Sequence, residues 1–203
     1  AKWQRINWLE EFDCIGTRMA RQYSCGYQTQ SLFYDKVKPK EFHLVDFAAP
    51  DAQAQADRFE ALLQTNIASV FHVGQAVARH MIGRRAGKIV NICSVQTALA
   101  RPGIAPYTAT KGAVASLTRG MATDWGKYGL QINGLAPGYF ATPLNQALVD
   151  DPDFTAWLEN RTPAGRWGKV EELVGTAIFL SSDASSFVNG TTIFVDGGIT
   201  ASL

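Results

Sequence analysis

The chain has 203 residues, of which 46% are hydrophobic and 18% charged, and its formal net charge is +1. This length and composition predict one globular domain with a sizeable core and are not typical of a disordered chain. A balanced charge gives no field that would attract nucleic acid or a membrane surface. No apolar stretch approaches the ~20 residues that cross a bilayer, and the first residues lack the apolar run of a signal peptide. We therefore expect a cytoplasmic protein with neither nucleic acid nor membrane as partner.

Residues that commonly bind metals do not cluster in the sequence. The three cysteines, Cys14, Cys25 and Cys93, have no metal-ligand spacing, and the three histidines lie far from them and from paired carboxylates. The sequence therefore predicts no metal site, and its cysteines are typical of free thiols in a reducing compartment.

Helical and β patterns alternate from residue 52 onwards. The predicted elements are a helix at 52–82 capped by Asp51, a strand at 88–93, a helix at 106–127 stopped near Gly126 and Gly129, a strand at 130–136, short helices to about 160, a helix at 169–182 and a strand at 191–198. Strands that alternate with helices indicate a parallel sheet with helical crossovers. The first 42 residues show no sustained period, although 31–34 and 42–47 are candidate short strands.

Tyr107 and Lys111 lie four residues apart in the predicted helix 106–127. Chance alone gives such a pair in roughly one chain in four of this composition, so the pair needs support from its surroundings. The spacing places both side chains on one helix face. An ammonium near a phenol favours the phenolate, which makes a tyrosine able to exchange protons near neutral pH. The alternative is a half-buried tyrosine beside a surface lysine.

Two further polar residues occupy positions that suit a catalytic site. Ser94 follows the strand at 88–93, and ligands of open α/β sheets bind beyond the carboxyl ends of the strands. Asn66 lies inside a predicted helix, where asparagine is a mediocre helix former. Its amide therefore has either a structural hydrogen-bonding role or a place in a proton relay.

Asn66, Ser94, Tyr107 and Lys111, in this order and spacing, resemble the catalytic tetrad of the short-chain dehydrogenase/reductase family. The stretches "LQTNIASVF", "GKIVNICSV", "APYTATKGAVASLTRG", "PGYFAT" and "DASSFVNGTTIFVDGG" are similar to the segments that surround that tetrad and close the family's sheet. The resemblance covers about residues 43–203. It implies an α/β fold, a Rossmann-like doubly wound parallel sheet flanked by helices, within one domain that spans residues 1–203.

The resemblance also implies a role for each matched residue. Tyr107 would exchange a proton with the substrate oxygen, Lys111 would assist it and hold the nicotinamide ribose, Ser94 would polarise the carbonyl, and Asn66 would anchor a water. The expected cofactor is NAD or NADP, which the sequence does not distinguish. The cofactor-binding residues would be Tyr107, Lys111, Pro137, Gly138, Phe140 and Thr142, and residues 95–97 and 139–149 would line the substrate pocket.

A finer resemblance is to the gluconate 5-dehydrogenase branch of the family. It is carried by "LQTNIASVF", "PGYFATPLNQALVDDPDF" and "RTPAGRWGKVEELVG". It implies an oxidoreductase that transfers a hydride between NAD(P) and a secondary alcohol or ketone, with gluconate and 5-ketogluconate as the candidate pair. Family members are usually oligomers, so we expect a homo-oligomer, a tetramer or a dimer, formed through the helices at about 59–82 and 106–127.

The N-terminal segment departs from the family pattern. Residues 1–42 contain no Gly-x-x-x-Gly-x-Gly turn, which in the family lets the backbone approach the pyrophosphate. The nucleotide-binding βαβ half is therefore expected to be truncated or atypical. Three explanations are open. Residues 1–42 could cover the exposed edge of the sheet with short strands, the chain could be a fragment or aberrant reading of a longer gene, or the N-terminal segment could be discontinuous. The alternative function is a catalytically silent homologue that acts as an oligomerisation or interaction module. A hydrolase is disfavoured because the chain has no Gly-x-Ser-x-Gly turn.

Overall fold

The computed structural model of the chain describes residues 52–203, and residues 56–203 form one compact unit within it. The predictions for Asp51 as a helix cap, for strands at 31–34 and 42–47, and for the atypical segment 1–42 lie outside the described residues. The single-domain prediction for residues 1–203 therefore stays a prediction.

Helices and strands alternate along the described residues. The helices are α1 (Ala52–Leu63), α2 (Ser69–Arg84), α3 (Ala105–Trp125), α4 (Gln146–Val149), α5 (Pro152–Arg161) and α6 (Val174–Ser181). The strands are β1 (Gly87–Ile92), β2 (Leu130–Pro137) and β3 (Thr192–Val195). Short 3₁₀ turns occupy Val95–Thr97, Gly126–Tyr128, Pro143–Asn145, Val170–Leu173 and Asp183–Ser185. No described helix is long and apolar enough to cross a membrane.

The predicted elements are confirmed, with boundaries that shift by a few residues. The main difference concerns the helix predicted at 52–82, which a π-helical turn at Gln64–Ala68 divides into α1 and α2. A π turn inserts an extra residue and rotates the next helical segment, and such turns are often found at functional sites. This turn contains Asn66. The strand predicted at 191–198 is shorter than expected because its glycine end forms turns.

The described strands form a parallel sheet in the order β1–β2–β3. Ile92 lies opposite Leu135, and Pro137 lies opposite Val195. β2 is the middle strand of this sheet, and six of its eight residues are buried, as expected for a strand covered on both faces. The carboxyl ends of the strands lie side by side, which is where the predicted site residues Ser94 and Gly138 follow β1 and β2.

Helices cover both faces of the sheet. Ile89 packs with the cluster that α2 and α3 form with β2, whereas the Nζ of the adjacent Lys88 donates a hydrogen bond of 3.2 Å to the Oγ of Ser185, just after α6. Because successive strand residues point to opposite faces, α6 lies on the side opposite α2 and α3. This is the layering of a doubly wound α/β sheet.

The core lies between the sheet and the α2–α3 pair. Leu130 and Ile132 of β2 are fully buried against Ala78 of α2 and Met121 of α3. The buried strand residue Asn91 is accommodated because its Nδ2 donates to the Oγ1 of Thr118 at 2.9 Å. A rigid sheet and a well-packed α3 thus support the residues at the carboxyl edge.

Candidate active site

Ser94 lies where the sequence predicts it, beyond the carboxyl end of β1. Its side chain is buried, and its Oγ accepts a hydrogen bond of 3.2 Å from the backbone N–H of Gln96. This bond caps the 3₁₀ turn Val95–Thr97. Because the oxygen is used as an acceptor, the hydroxyl hydrogen of Ser94 is available to donate.

Tyr107 and Lys111 lie on one face of α3, as the four-residue spacing predicts. The Nζ of Lys111 is 5.6 Å from the centroid of the Tyr107 ring. A cation at this distance from an aromatic ring interacts favourably with it. The Nζ also donates a hydrogen bond of 2.9 Å to the backbone oxygen of Ile92, so the ammonium lies between the phenol and the end of β1.

The turn that carries Ser94 is joined to the helix that carries Lys111. The Oγ1 of Thr97 contacts the backbone oxygen of Lys111 at 3.4 Å, and the Nζ of Lys111 reaches the backbone of Ile92, two residues before Ser94. These two contacts bring Ser94, Tyr107 and Lys111 to one edge of the sheet.

Asn66 reaches the same helix through Thr110. The Nδ2 of Asn66 donates to the Oγ1 of Thr110 at 3.0 Å, and that hydroxyl donates to the backbone oxygen of Tyr107 at 2.8 Å. Thr110 is fully buried. The asparagine therefore fixes the first turn of α3 through an intervening hydroxyl, and the π turn presents its amide towards that helix.

Burial changes the titration of two groups in this region. Burial lowers the pKa of Lys111, because the charged ammonium loses hydration there. Burial also raises the pKa of the Cys93 thiol, which precedes Ser94 and is almost inaccessible. A lysine with a lowered pKa gives up its proton more readily, which suits a group that passes protons.

The residues predicted to bind the cofactor follow β2. Pro137 ends that strand, and Gly138 packs so closely on the residue after β3 that an added Cβ would lie 2.7 Å from the Cα of Asp196. Phe140 is buried against Gly168, and Thr142 precedes the 3₁₀ turn Pro143–Asn145. The contacts of Gly138 and Phe140 within the described residues are thus structural, and their role at a cofactor stays a prediction.

Two concave regions adjoin these residues. A groove of about 450 Å³ runs along β1, and Asn66, Lys111 and Ile92 line part of it. Within the described residues, β1 pairs with β2 alone, so the groove follows its other edge. A smaller cavity of about 100 Å³ lies beside Phe140 and Asp196. Both reach the carboxyl edge of the sheet, where ligands of this architecture bind.

The sequence analysis did not single out three residues that the structure places in the site. Thr110 links Asn66 to Tyr107, Gln96 holds Ser94 through its backbone, and the Nε2 of Gln96 contacts the hydroxyl of Tyr139 at 3.4 Å. The only sequence signals were position, because Thr110 precedes Lys111 and Gln96 and Tyr139 fall within the expected pocket segments. Nothing in their residue types marked them.

The chain matches known proteins over most of its length. The family model described as "Enoyl-(Acyl carrier protein) reductase" matches residues 43–200. A gluconate 5-dehydrogenase from Gluconobacter oxydans (strain 621H) is 70% identical over 155 residues, which are 76% of this chain and 60% of the relative. A 5-keto-D-gluconate 5-reductase from Escherichia coli (strain K12) is 53% identical over 150 residues, 74% of this chain and 59% of the relative.

The described fold is also that of a solved relative. A gluconate 5-dehydrogenase from Burkholderia cenocepacia J2315, solved in complex with NADP and tartrate, has 66% sequence identity and a TM-score of 0.71 over 72% of this chain and 58% of the relative. The chain therefore belongs to the short-chain dehydrogenase/reductase family and has its Rossmann-like fold, as the sequence predicted. It spans about three-fifths of the length of these curated relatives.

Proposed function

We propose that the protein is an NAD(P)-dependent oxidoreductase that interconverts a secondary alcohol and a ketone of a sugar acid, with gluconate and 5-ketogluconate as the pair. This proposal rests on one observation: hydrogen bonds and a cation–π contact bring together, at the carboxyl edge of the sheet, Ser94, Tyr107, Lys111 and Asn66. The names of the relatives supply the substrate class.

The proposed proton chemistry follows from the hydrogen-bonding capacity of these groups. In the reductive direction, the hydroxyl of Tyr107 donates its proton to the substrate oxygen, and Ser94 donates a hydrogen bond to the same oxygen. Ser94 is oriented for this because Gln96 already uses its oxygen as an acceptor. The Lys111 ammonium stabilises the phenolate that forms, and the Asn66–Thr110 pair holds the turn that carries Tyr107.

The donors at this edge suit the nicotinamide end of a dinucleotide. The Lys111 ammonium has three N–H donors and uses one on Ile92 within the described residues, so two remain for ribose hydroxyls. Thr142 follows Pro137 and Gly138 in the chain, and its hydroxyl would add a further donor. A bound nicotinamide would supply the hydride that the substrate carbon gains or loses. Two relatives were solved with NADP, which supports NADP as the cofactor, and NAD is the other candidate.

The test is turnover by the full chain. NADPH and NADH oxidation is followed by absorbance with 5-ketogluconate as substrate, with Tyr107→Phe as the matched control. Turnover by the wild type that the control lacks supports the proposal. The proposal would be overturned if the folded protein binds neither NADPH nor NADH at millimolar concentration, as measured by fluorescence, and does not turn over 5-ketogluconate.

The silent-homologue alternative is kept because residues 1–42 contain no Gly-x-x-x-Gly-x-Gly turn. A fold without a complete dinucleotide site would serve as an interaction module. Cofactor binding in the same fluorescence titration separates the two functions, because only the enzyme requires it.

We also propose that the protein is a homo-oligomer. Apolar side chains on α1 and α2 are exposed within the described unit, including Phe59, Phe71 and Val73. Exposed apolar surface of this kind is typical of protein interfaces. Light scattering that gives a dimer or tetramer mass is the expected result, and a monomer mass would contradict it.

A further inference from the structure

An aromatic cluster lies beside the Ser94 turn. It contains Tyr139, Phe154, Trp157 and Trp167, and the centroids of the rings that contact each other are between 5.3 and 6.2 Å apart. Trp157 is 45% exposed, so the cluster reaches the surface. Aromatic rings that combine an apolar face with a polar edge are typical of small-molecule sites.

Arg101 lies against this cluster. Its guanidinium carbon is 5.9 Å from the centroid of the Phe154 ring. Among the described residues it forms no ion pair or hydrogen bond, whereas Arg166 pairs with Glu172 at 2.7 Å and Arg161 donates to Ser202. A ring face positions a guanidinium without using its five N–H groups, so they remain free to bind a carboxylate in a bidentate manner.

The Gln96 amide provides a second, independent indication of a ligand. Gln96 is 6% exposed, and its Oε1 is one of three buried side-chain oxygen or nitrogen atoms without a hydrogen-bond partner in the described residues. Leaving a buried acceptor unpaired is costly, and such atoms commonly mark a functional position. Its Nε2 donates to the hydroxyl of Tyr139 at 3.4 Å, which leaves the hydrogen of that hydroxyl free to donate to a ligand.

These contacts form a continuous path from Ser94 to the cation. Gln96 binds Ser94 through its backbone and Tyr139 through its side chain, and Tyr139 contacts Phe154, on which Arg101 lies. A substrate with a carbonyl at Ser94 would thus extend along the aromatic cluster towards Arg101. A sugar acid has its carboxylate several carbon–carbon bonds from the carbonyl that is reduced, with hydroxyls between them.

We propose that Arg101 and Tyr139 form the subsite that recognises the sugar acid, with Arg101 binding the carboxylate and Tyr139, held by Gln96, donating to a hydroxyl. This inference rests on the proposed function for the identity of the ligand. It adds the residues that make the site prefer an acid over a neutral polyol.

The test measures binding rather than turnover. Gluconate and neutral glucitol are titrated into the full chain, in the presence and absence of NADPH, by isothermal calorimetry and by the intrinsic fluorescence of the tryptophans. The wild type is expected to bind gluconate at least tenfold more tightly than glucitol. Arg101→Met should weaken gluconate binding roughly 10- to 100-fold, the range for one charge-assisted pair, and leave glucitol binding unchanged.

Three further variants sharpen the result. Arg101→Lys retains the charge and should lose less gluconate affinity than Arg101→Met. Tyr139→Phe should weaken gluconate and glucitol alike. Arg79→Met, which removes an exposed arginine on α2 that contacts Gln75, makes the same change in net charge and should alter neither.

The outcomes separate this inference from the proposed function. No gluconate binding by folded wild type, equal binding of gluconate and glucitol, or equal losses in Arg101→Met and Arg79→Met would overturn the carboxylate subsite, whether or not the protein reduces 5-ketogluconate. Arg101-dependent gluconate binding without any hydride transfer would support the subsite and refute the oxidoreductase.

Discussion

Replacing Thr110 by valine tests the link between Asn66 and the helix of Tyr107. The hydroxyl is fully buried, accepts from Asn66 at 3.0 Å and donates to the backbone oxygen of Tyr107 at 2.8 Å. The Tyr107 oxygen keeps its helical partner, the N–H of Lys111. The amide of Asn66, which is partly buried, loses its acceptor.

The expected loss of stability is that of one hydrogen bond plus a partly desolvated donor, about 1–2 kcal/mol in the free energy of unfolding. For a domain of this size this corresponds to a fall in the melting temperature of roughly 2–8 °C. Urea denaturation followed by circular dichroism measures it. In an active protein the same change should lower kcat more than it raises KM, because it displaces Tyr107, whose proposed proton transfer takes place in the transition state.

Two variants serve as controls. Thr110→Ser keeps the hydroxyl and should lose less stability. Thr123→Val removes an exposed hydroxyl on the same helix. Among the described residues this hydroxyl bonds only to the Arg119 backbone oxygen, four residues earlier, so the change should alter stability by less than about 0.5 kcal/mol.

A double-mutant cycle with Asn66→Ala isolates the interaction energy between Asn66 and Thr110. If the two side chains act together, the double variant should be more stable than the sum of the single losses predicts, by about 1 kcal/mol. Additivity of Thr110→Val and Asn66→Ala within error would refute the link.

Other substitutions test separate parts of the site. Tyr107→Phe should reduce turnover by about 10²- to 10⁴-fold, the contribution of one general acid, with an unchanged circular dichroism spectrum, and substantial residual activity would exclude the tyrosine mechanism. Gly138→Ala should lower the free energy of unfolding by about 1–3 kcal/mol, because the added Cβ meets the backbone of Asp196. Gly112→Ala, where an added Cβ has nothing within 4 Å, should raise it by about 0.5–1 kcal/mol. Similar melting temperatures for the two variants would contradict this reasoning. Burial lowers the pKa of Lys111 from 10.5, so at pH values below its folded pKa the buried charge costs stability, and that cost disappears as the pH rises towards 10.5. The wild type should therefore gain stability relative to Lys111→Met between neutral pH and pH 10.5 in urea denaturation, and a constant difference would disprove the burial argument.

The placement of Ser94, Tyr107 and Lys111 could be predicted because each depends on local pattern. A four-residue spacing on one helix face brings Tyr107 beside Lys111, and a residue after a buried strand reaches the carboxyl edge, as Ser94 does. The partner of Asn66 could not be predicted, since it depends on the π turn and on how two helices pack.

The structural roles of Gly138 and Phe140, which follow β2, could not be predicted from the sequence either. Gly138 followed a predicted strand, but its packing on Asp196 depends on the register of β2 against β3. Phe140 is buried because Gly168, distant in the chain, leaves room for its ring. Contacts between segments far apart in sequence leave no periodic signal in either segment.

The sequence by itself determined the alternation of helices and strands, the parallel sheet and the positions of Ser94, Tyr107 and Lys111, because periodicity and chain direction act over a few residues. The tertiary structure alone decided what surrounds them. The buried hydroxyl of Thr110 lies between Asn66 and Tyr107, and the guanidinium of Arg101 lies on the ring of Phe154 without an ion pair or hydrogen bond among the described residues. Burial and the pairing of polar groups depend on all elements that meet at a point, so they are fixed only when the chain has packed.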